Sequence, residues 1–178
     1  MKKYLVIGNP IEHSLSPQLH NHWIKENNID AVYDKKQLNE NDIEGIINEV
    51  KSDKIEGINV TVPFKKSVIS FLDELTQLAK ETQSVNTIFK KDNKIVGDNT
   101  DVGGFKQSLE YINYNVKNKK VFILGAGGVV PSILKALEKL GAAKVYISNR
   151  TKEKAKELES YYKISLGLET LDWGQSPD

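Results

Sequence analysis

Apolar and polar positions follow two alternating periods along this chain, and the switches between them outline a succession of strands and helices. Residues 4–8 are a compact apolar run closed by glycine and read as a strand. Ser16-Pro17 supplies an N-cap and then proline in the first helical turn. The helix is predicted to reach about Asn27, with Leu19, Trp23 and Ile24 on one face. Residues 31–38 are a second strand. Asn41 or Asp42 caps a helix through Val50, in which Ile43, Ile46, Ile47 and Val50 recur at helical spacing. Residues 57–62 read as a short buried strand ended by Pro63, and residues 65–71 and 73–80 as helices. Residues 87–91 and 94–97 form a hairpin around Asp92-Asn93.

A helix over 102–115 leads into a polar linker marked by Asn113, Asn115 and Asn118. Beyond it come a buried strand (120–124), the turn Gly125-Ala126-Gly127-Gly128 and a helix (132–140). A strand (143–148), a charged helix (151–161) and a short edge element (167–173) follow. This alternation predicts an α/β fold. Residues 1–101 would be an α/β substrate-binding domain, 102–118 a linking helix and linker, and 119–178 a partial Rossmann-type dinucleotide-binding domain. A full doubly wound domain has two βαβαβ halves, and 119–178 has room for about one. The chain therefore reads as part of a longer protein.

Composition narrows the chemistry. The chain has 178 residues, 39% hydrophobic and 28% charged, which fits a folded globular protein. A net charge of +1 gives no field suited to nucleic acid or a membrane surface. The absence of cysteine excludes disulfides, thiol nucleophiles and thiolate metal sites. Met1-Lys2-Lys3 precedes too short an apolar run for a signal peptide, and no run approaches membrane-spanning length. A cytoplasmic protein is expected. His13, His20 and His22 do not make a metal site, since His20 and His22, two apart, would face apart on a helix.

The glycine turn follows a strand and precedes a helix, where backbone can approach a pyrophosphate. After the next strand stands Asn149-Arg150-Thr151. An acidic residue there accepts from a ribose 2′-OH, whereas a cation such as Arg150 suits a 2′-phosphate. The last fingerprint position, which favours Gly or Ala, is Val130, followed by Pro131. Three polar clusters punctuate the first domain, each where a strand ends. Ser14 and Ser16 flank Leu15 before a helix N-terminus and could bind a carboxylate; alternatively, Ser16 is only a cap. Asn59 and Thr61 alternate with Val60 and Val62 and so share a strand face, which makes both candidate substrate-binding residues. Lys65 falls in the first turn of the predicted helix, where the dipole favours the neutral amine, although Lys66 beside it fits a plain exposed pair. Ser84-Val85-Asn86-Thr87 and Gly97-Asp98-Asn99-Thr100-Asp101 read either as turns or as a surface for a small polyhydroxylated acid.

In order, Ser14-Leu-Ser-Pro17, Asn59-Val-Thr61 with Pro63 and Lys65, Ser84-Val-Asn-Thr87, Gly97-Asp-Asn-Thr-Asp101, Gly125-Ala-Gly-Gly128 and Asn149-Arg-Thr151 match one family. The chain resembles the shikimate dehydrogenases over its whole length. The resemblance implies NADP(H) as cofactor and the reversible reduction of 3-dehydroshikimate to shikimate, in the chorismate route of aromatic amino-acid biosynthesis. It implies a cleft between a substrate domain and a Rossmann domain. Ser14 and Ser16 are assigned to the substrate carboxylate, and Thr61, Asn86, Asp101 and Lys65 to the ring hydroxyls, with Lys65 and Asp101 as the catalytic pair. Gly125, Ala126, Gly127 and Gly128 are assigned to the pyrophosphate. Asn149, Arg150, Thr151 and Lys154 are assigned to the 2′-phosphate end. Family members have small residues where this chain has Val129-Val130-Pro131, and they continue well beyond position 178. A C-terminally truncated member, monomer or homodimer, is therefore expected. A quinate/shikimate dehydrogenase, or a chain that binds shikimate without turnover, is the alternative.

Overall fold

The computed structural model describes residues 1–177, so Asp178, the last residue of the expected nucleotide domain, lies outside the described residues. The chain divides into two compact units, Met1–Asn99 and Thr100–Asp178. In the first, a six-stranded sheet runs in the order β2-β1-β3-β5-β6-β4. Its strands are β1 (Lys2–Gly8), β2 (Ala31–Gln37), β3 (Gly57–Val60), β4 (Glu74–Leu75), β5 (Thr87–Lys91) and β6 (Lys94–Asp98). β1 pairs in parallel with β2 and β3, and β5 is antiparallel to both β3 and β6.

The period of two in β1 decides what covers each face of the sheet. Leu5 and Ile7 point to one side, where they join Ile58, Val60, Ile88 and Ile95. The helix α2 (Ile43–Lys51) closes that side with Ile43, Ile46, Ile47 and Val50, all buried. Each such side chain contributes roughly 1.5–3 kcal/mol on burial. Val6 points to the other side and packs with Ile11 and Tyr33, against Tyr4 and Ile24. Ile24 belongs to α1 (Ser16–Glu26), so the sheet lies between helices.

Several local expectations are corrected. The cap of α1 is shifted: Ser16 is the first helical residue, and its N–H donates to Ser14 Oγ at 3.3 Å. The face of α1 is also different, because Leu19 and Trp23 are each 48% exposed and α1 has no buried residue. Polar anchors hold it instead. Asn21 Nδ2 donates to the Tyr33 carbonyl at 2.7 Å while Asn21 Oδ1 accepts from the Tyr33 N–H at 2.9 Å. His20 stacks on the Tyr33 ring, with centroids 4.1 Å apart.

Before α2, Asp42 stands at the N-cap position as expected but makes no side-chain cap bond to the helix; its Oδ2 accepts instead from the Asn39 N–H at 2.8 Å, around the short 3-10 turn Glu40–Asp42. The helix expected over 65–71 is a 3-10 helix, Ser67–Phe71, preceded by turns through Lys65 and Lys66. Lys65 is therefore in no helical turn, and the dipole argument for its amine lapses. The expected helix over 73–80 begins instead as strand β4, because Asp73 N–H and Thr76 N–H donate to Ile95 and Gly97 of β6. Thr76 then caps α3 (Gln77–Thr82). The hairpin turn is as expected, with Asp92 at φ 50° and Asn93 at φ 62°, the left-handed pair a two-residue loop requires.

The second unit has α4 (Asp101–Tyr111), β7 (Lys120–Leu124), α5 (Val130–Leu140), β8 (Lys144–Ser148), α6 (Lys152–Leu166) and β9 (Glu169–Leu171). Its sheet is parallel, in the order β7-β8-β9. Val145 and Ile147 of β8 meet Leu134 and Leu137 of α5 and Tyr162 and Leu166 of α6 in one core. β7, expected to be buried, is only half-buried, and Leu124 is 70% exposed, because β7 lies at the sheet edge among the described residues. Pro131 sits in the first turn of α5 without breaking it, and Gly141 ends the helix at φ 75°.

Candidate functional site

In the first unit, Ser14, Ser16 and Thr61 line one cavity of about 300 Å³, together with Val6, Pro10, Ile11 and His13. Three elements bring them there. Ser14 is held by its N–H to the Ile11 carbonyl, Ser16 opens α1, and Thr61 N–H donates to the Ile7 carbonyl at the end of β1. Gly8 makes this approach possible. A Cβ on Gly8 would stand 2.6 Å from Thr61 Cγ2, 3.0 Å from Ile11 Cδ1 and 3.1 Å from the Val62 carbonyl. Three hydroxyl-bearing residues, Ser14, Ser16 and Thr61, thus line one mostly apolar space large enough for a small ligand. His13 and Ile11 were not singled out by the sequence for this cavity. His13 adjoins Ser14 and is weighed from the sequence only as a metal ligand, and Ile11 lies three residues before Ser14.

Asn59 shares the Thr61 face but takes part in a different group. Tyr33 Oη donates to Asn59 Oδ1 at 2.7 Å, and Asn59 Nδ2 donates to the Asn86 carbonyl at 3.3 Å and to Thr87 Oγ1 at 3.2 Å. Thr87 Oγ1 donates to Asn86 Oδ1 at 3.1 Å. Burial pushes the Tyr33 phenol up to about 12, which keeps it a donor. The Lys65 carbonyl accepts from the Val85 N–H at 2.8 Å, which sets Lys65 beside the segment that carries Asn86. Lys65 is half-buried while Lys66 is exposed, so the two lysines are not equivalent surface cations.

Not every residue of the third polar cluster faces a ligand. Asn99 is 1% exposed and its Nδ2 donates to Thr82 Oγ1 and to the Ser84 carbonyl. Asp98 accepts from Thr76 Oγ1 at 2.6 Å and from the Asn99 N–H at 2.8 Å. These groups hold α3 and β6 together. In the second unit, Asp101 opens α4, where the dipole favours a carboxylate.

The glycine turn lies between β7 and α5. Gly125 has φ 110°, and a Cβ built on Gly127 or Gly128 would meet nothing within 4 Å, so that side of the backbone is open to a ligand. Asn149 ties the turn to the end of β8. Its Oδ1 accepts from the Ala126 N–H at 3.1 Å and its Nδ2 donates to the Thr151 carbonyl at 2.7 Å. Arg150, Thr151 and Lys154 are exposed, and neither Arg150 nor Lys154 pairs with a carboxylate among the described residues. Lys152, by contrast, is paired with Asp172. Two exposed cations, Arg150 just before α6 and Lys154 in its first turn, together with the open glycine turn, fit a dinucleotide that carries an extra phosphate.

A parallel β-α-β-α-β unit with this turn, joined in sequence to a separate α/β unit, is the architecture of a dinucleotide-binding fold with a second domain. The model of the shikimate dehydrogenase substrate-binding domain matches residues 6–88, and that of shikimate/quinate 5-dehydrogenase matches residues 107–172. The chain belongs to the shikimate dehydrogenase family. It is 56% identical over 177 residues to the shikimate dehydrogenase (NADP(+)) of Pelagibacter ubique, covering 99% of this chain and 66% of that protein. The crystal structure of shikimate dehydrogenase from Aquifex aeolicus aligns with a TM-score of 0.87 at 41% identity, over 96% of this chain and 62% of that one. The Thermus thermophilus shikimate 5-dehydrogenase, solved with NADP(H) and shikimate, aligns with a TM-score of 0.85 at 29% identity, over 96% of this chain and 63% of that one. The chain thus spans less than two thirds of the length of these relatives. No helix among the described residues is long and apolar enough to cross a membrane.

Proposed function

We propose that this chain carries the substrate and cofactor sites of an NADP-linked shikimate dehydrogenase, which interconverts 3-dehydroshikimate and shikimate. The reading rests most directly on Ser14, Ser16 and Thr61 around one cavity, with Arg150 exposed beyond the glycine turn in the same chain. It is supported by relatives named shikimate dehydrogenase (NADP(+)). Ser14 and Ser16 donate to the substrate carboxylate, and Thr61, Asn86 and Asp101 hold the ring hydroxyls. Gly125, Ala126, Gly127, Gly128, Asn149, Arg150, Thr151 and Lys154 form the cofactor site, and NADPH bound there supplies the hydride. Negative charge that develops on the C3 oxygen is met by a proton from Lys65, with Asp101 as the second member of the catalytic pair; in the reverse direction Lys65 takes the C3-OH proton. A cytoplasmic setting within aromatic amino-acid biosynthesis goes with this reading.

The test is shikimate oxidation followed by NADPH absorbance. Lys65→Ala is expected to lower turnover by a factor of about 100 or more while leaving shikimate affinity within a few-fold. Near-normal turnover in that variant removes Lys65 from the proton step. Faster turnover with NAD+ and quinate than with NADP+ and shikimate removes the substrate assignment.

A further inference from the structure

The first two amides of the glycine turn are both held by the end of β8. Gly125 N–H donates to the Ser148 carbonyl at 2.8 Å, and Ala126 N–H donates to Asn149 Oδ1 at 3.1 Å. The other end of the same side chain, Nδ2, donates to the Thr151 carbonyl at 2.7 Å. The backbone leaves no choice in this orientation. An N–H only donates and a carbonyl only accepts, so each end of the amide is fixed by a partner that cannot reverse. Thr151 is the N-cap residue of α6, and its carbonyl also accepts from the Lys154 N–H at 3.2 Å. Arg150 therefore stands between two residues that one side chain joins, and Lys154 hangs from the second of them. One half-buried asparagine thus links the turn before α5 to the segment that carries both exposed cations.

We propose that Asn149 is a positioning residue that sets the spacing between the glycine turn and the Arg150–Lys154 segment, and so fixes how far apart the pyrophosphate and the extra phosphate of one dinucleotide must lie. It serves both halves of the site. It withdraws the Ala126 N–H from the ligand and holds the turn in the shape that Gly125, at φ 110°, begins. It also anchors the backbone under two long, flexible cations, which lowers the ordering cost at binding. Asn149 keeps one amide proton and one lone pair besides, so a direct contact with the 2′-phosphate is the competing role. The two roles separate on a dinucleotide that lacks this phosphate: NAD+ feels the loss of a brace and does not feel the loss of a phosphate contact. The identity of the ligand rests on the NADP reading above; the two bonds of Asn149 do not.

The experiment uses the whole chain with Asn149→Ala, which removes both bonds, and Asn149→Asp, which keeps an oxygen for the Ala126 N–H and loses the donor to Thr151. Asn149→Ser, one bond too short to reach either partner, replaces the alanine variant if that one does not fold. Two readouts are taken by NMR: hydrogen exchange of the Ala126 backbone amide, and titration with NADP+ and with NAD+. Asn149→Ala is expected to speed Ala126 exchange about tenfold or more, to weaken NAD+ about fivefold and to weaken NADP+ about 20-fold. Asn149→Asp is expected to keep Ala126 protected and NAD+ affinity within about twofold of the parent. Ala126 exchange unmoved by Asn149→Ala, or NADP+ weakened by it with NAD+ unchanged, overturns the brace. Equal loss of NAD+ affinity in Asn149→Ala and Asn149→Asp overturns it too. If the unsubstituted chain binds neither dinucleotide, the cofactor reading fails, and Ala126 exchange decides the brace by itself.

Discussion

Gly8→Ala tests how the first unit builds its cavity. The added Cβ would lie 2.6 Å from Thr61 Cγ2, against a comfortable carbon–carbon distance of about 3.5–4.0 Å, so one of them must give by about 1 Å. Ile11 Cδ1 at 3.0 Å is the far end of a flexible side chain and can move. The Val62 carbonyl at 3.1 Å is backbone and also accepts from the Asn9 N–H, so it moves only with the loop. Thr61 is β-branched, and rotating its methyl out of the way also swings its hydroxyl out of the cavity. Overpacking of this kind costs about 1–3 kcal/mol, which lowers the melting midpoint of a chain of this length by roughly 2–12 °C. Shikimate affinity should fall as well, by roughly three- to tenfold, if one neutral hydrogen bond is lost. Thr61→Ser in the Gly8→Ala background removes Cγ2 and should recover most of both losses. A Gly8→Ala midpoint within 1 °C of the parent, or a double variant no better than Gly8→Ala, would refute the argument.

Arg150→Ala should weaken NADPH about 10- to 100-fold and NADH less than threefold, read by fluorescence titration; equal losses would remove the phosphate contact. Gly127→Ala should leave the melting midpoint unchanged, because its Cβ meets nothing within 4 Å, yet weaken NADP+ about tenfold. A stability loss there would show that the turn packs against protein instead. Tyr33 is a neutral phenol in the fold to about pH 12, while in the unfolded chain it ionises near 10. Its contribution is therefore complete below pH 10 and lost as pH rises from 10 to 12. Tyr33→Phe should flatten that part of the stability–pH curve, measured by denaturant unfolding, and an unchanged slope would show that Tyr33 is not buried as described.

The parts legible in the sequence were those set by local rules. The alternation of Leu5, Val6 and Ile7, the helical spacing of Ile43 to Val50 and the Asp92-Asn93 turn each needed only nearby residues. The Ser14 and Ser16 pair and the glycine turn were found for the same reason. Elements decided by distant partners were misjudged. Residues 74–75 look helical until β6 offers them backbone partners. Residues 65–66 look like a helix start until Phe64 is buried and Lys65 is tied to Val85. Tyr33 gave no signal at all, since its hydroxyl meets Asn59 of β3 from β2, with β1 between them. The third polar cluster was equally silent: nothing in the order of Ser84, Asp98 and Asn99 separates a ligand surface from the internal bonds they make.

The most direct test of the account is a thermal melt of this chain with and without shikimate at about 100 times its dissociation constant. The expected result is a cooperative transition that shikimate raises, by about 2.7 kcal/mol of stabilisation or roughly 5–10 °C. A cooperative transition that shikimate leaves where it was would contradict the assignment of Ser14, Ser16 and Thr61 to its carboxylate and hydroxyls.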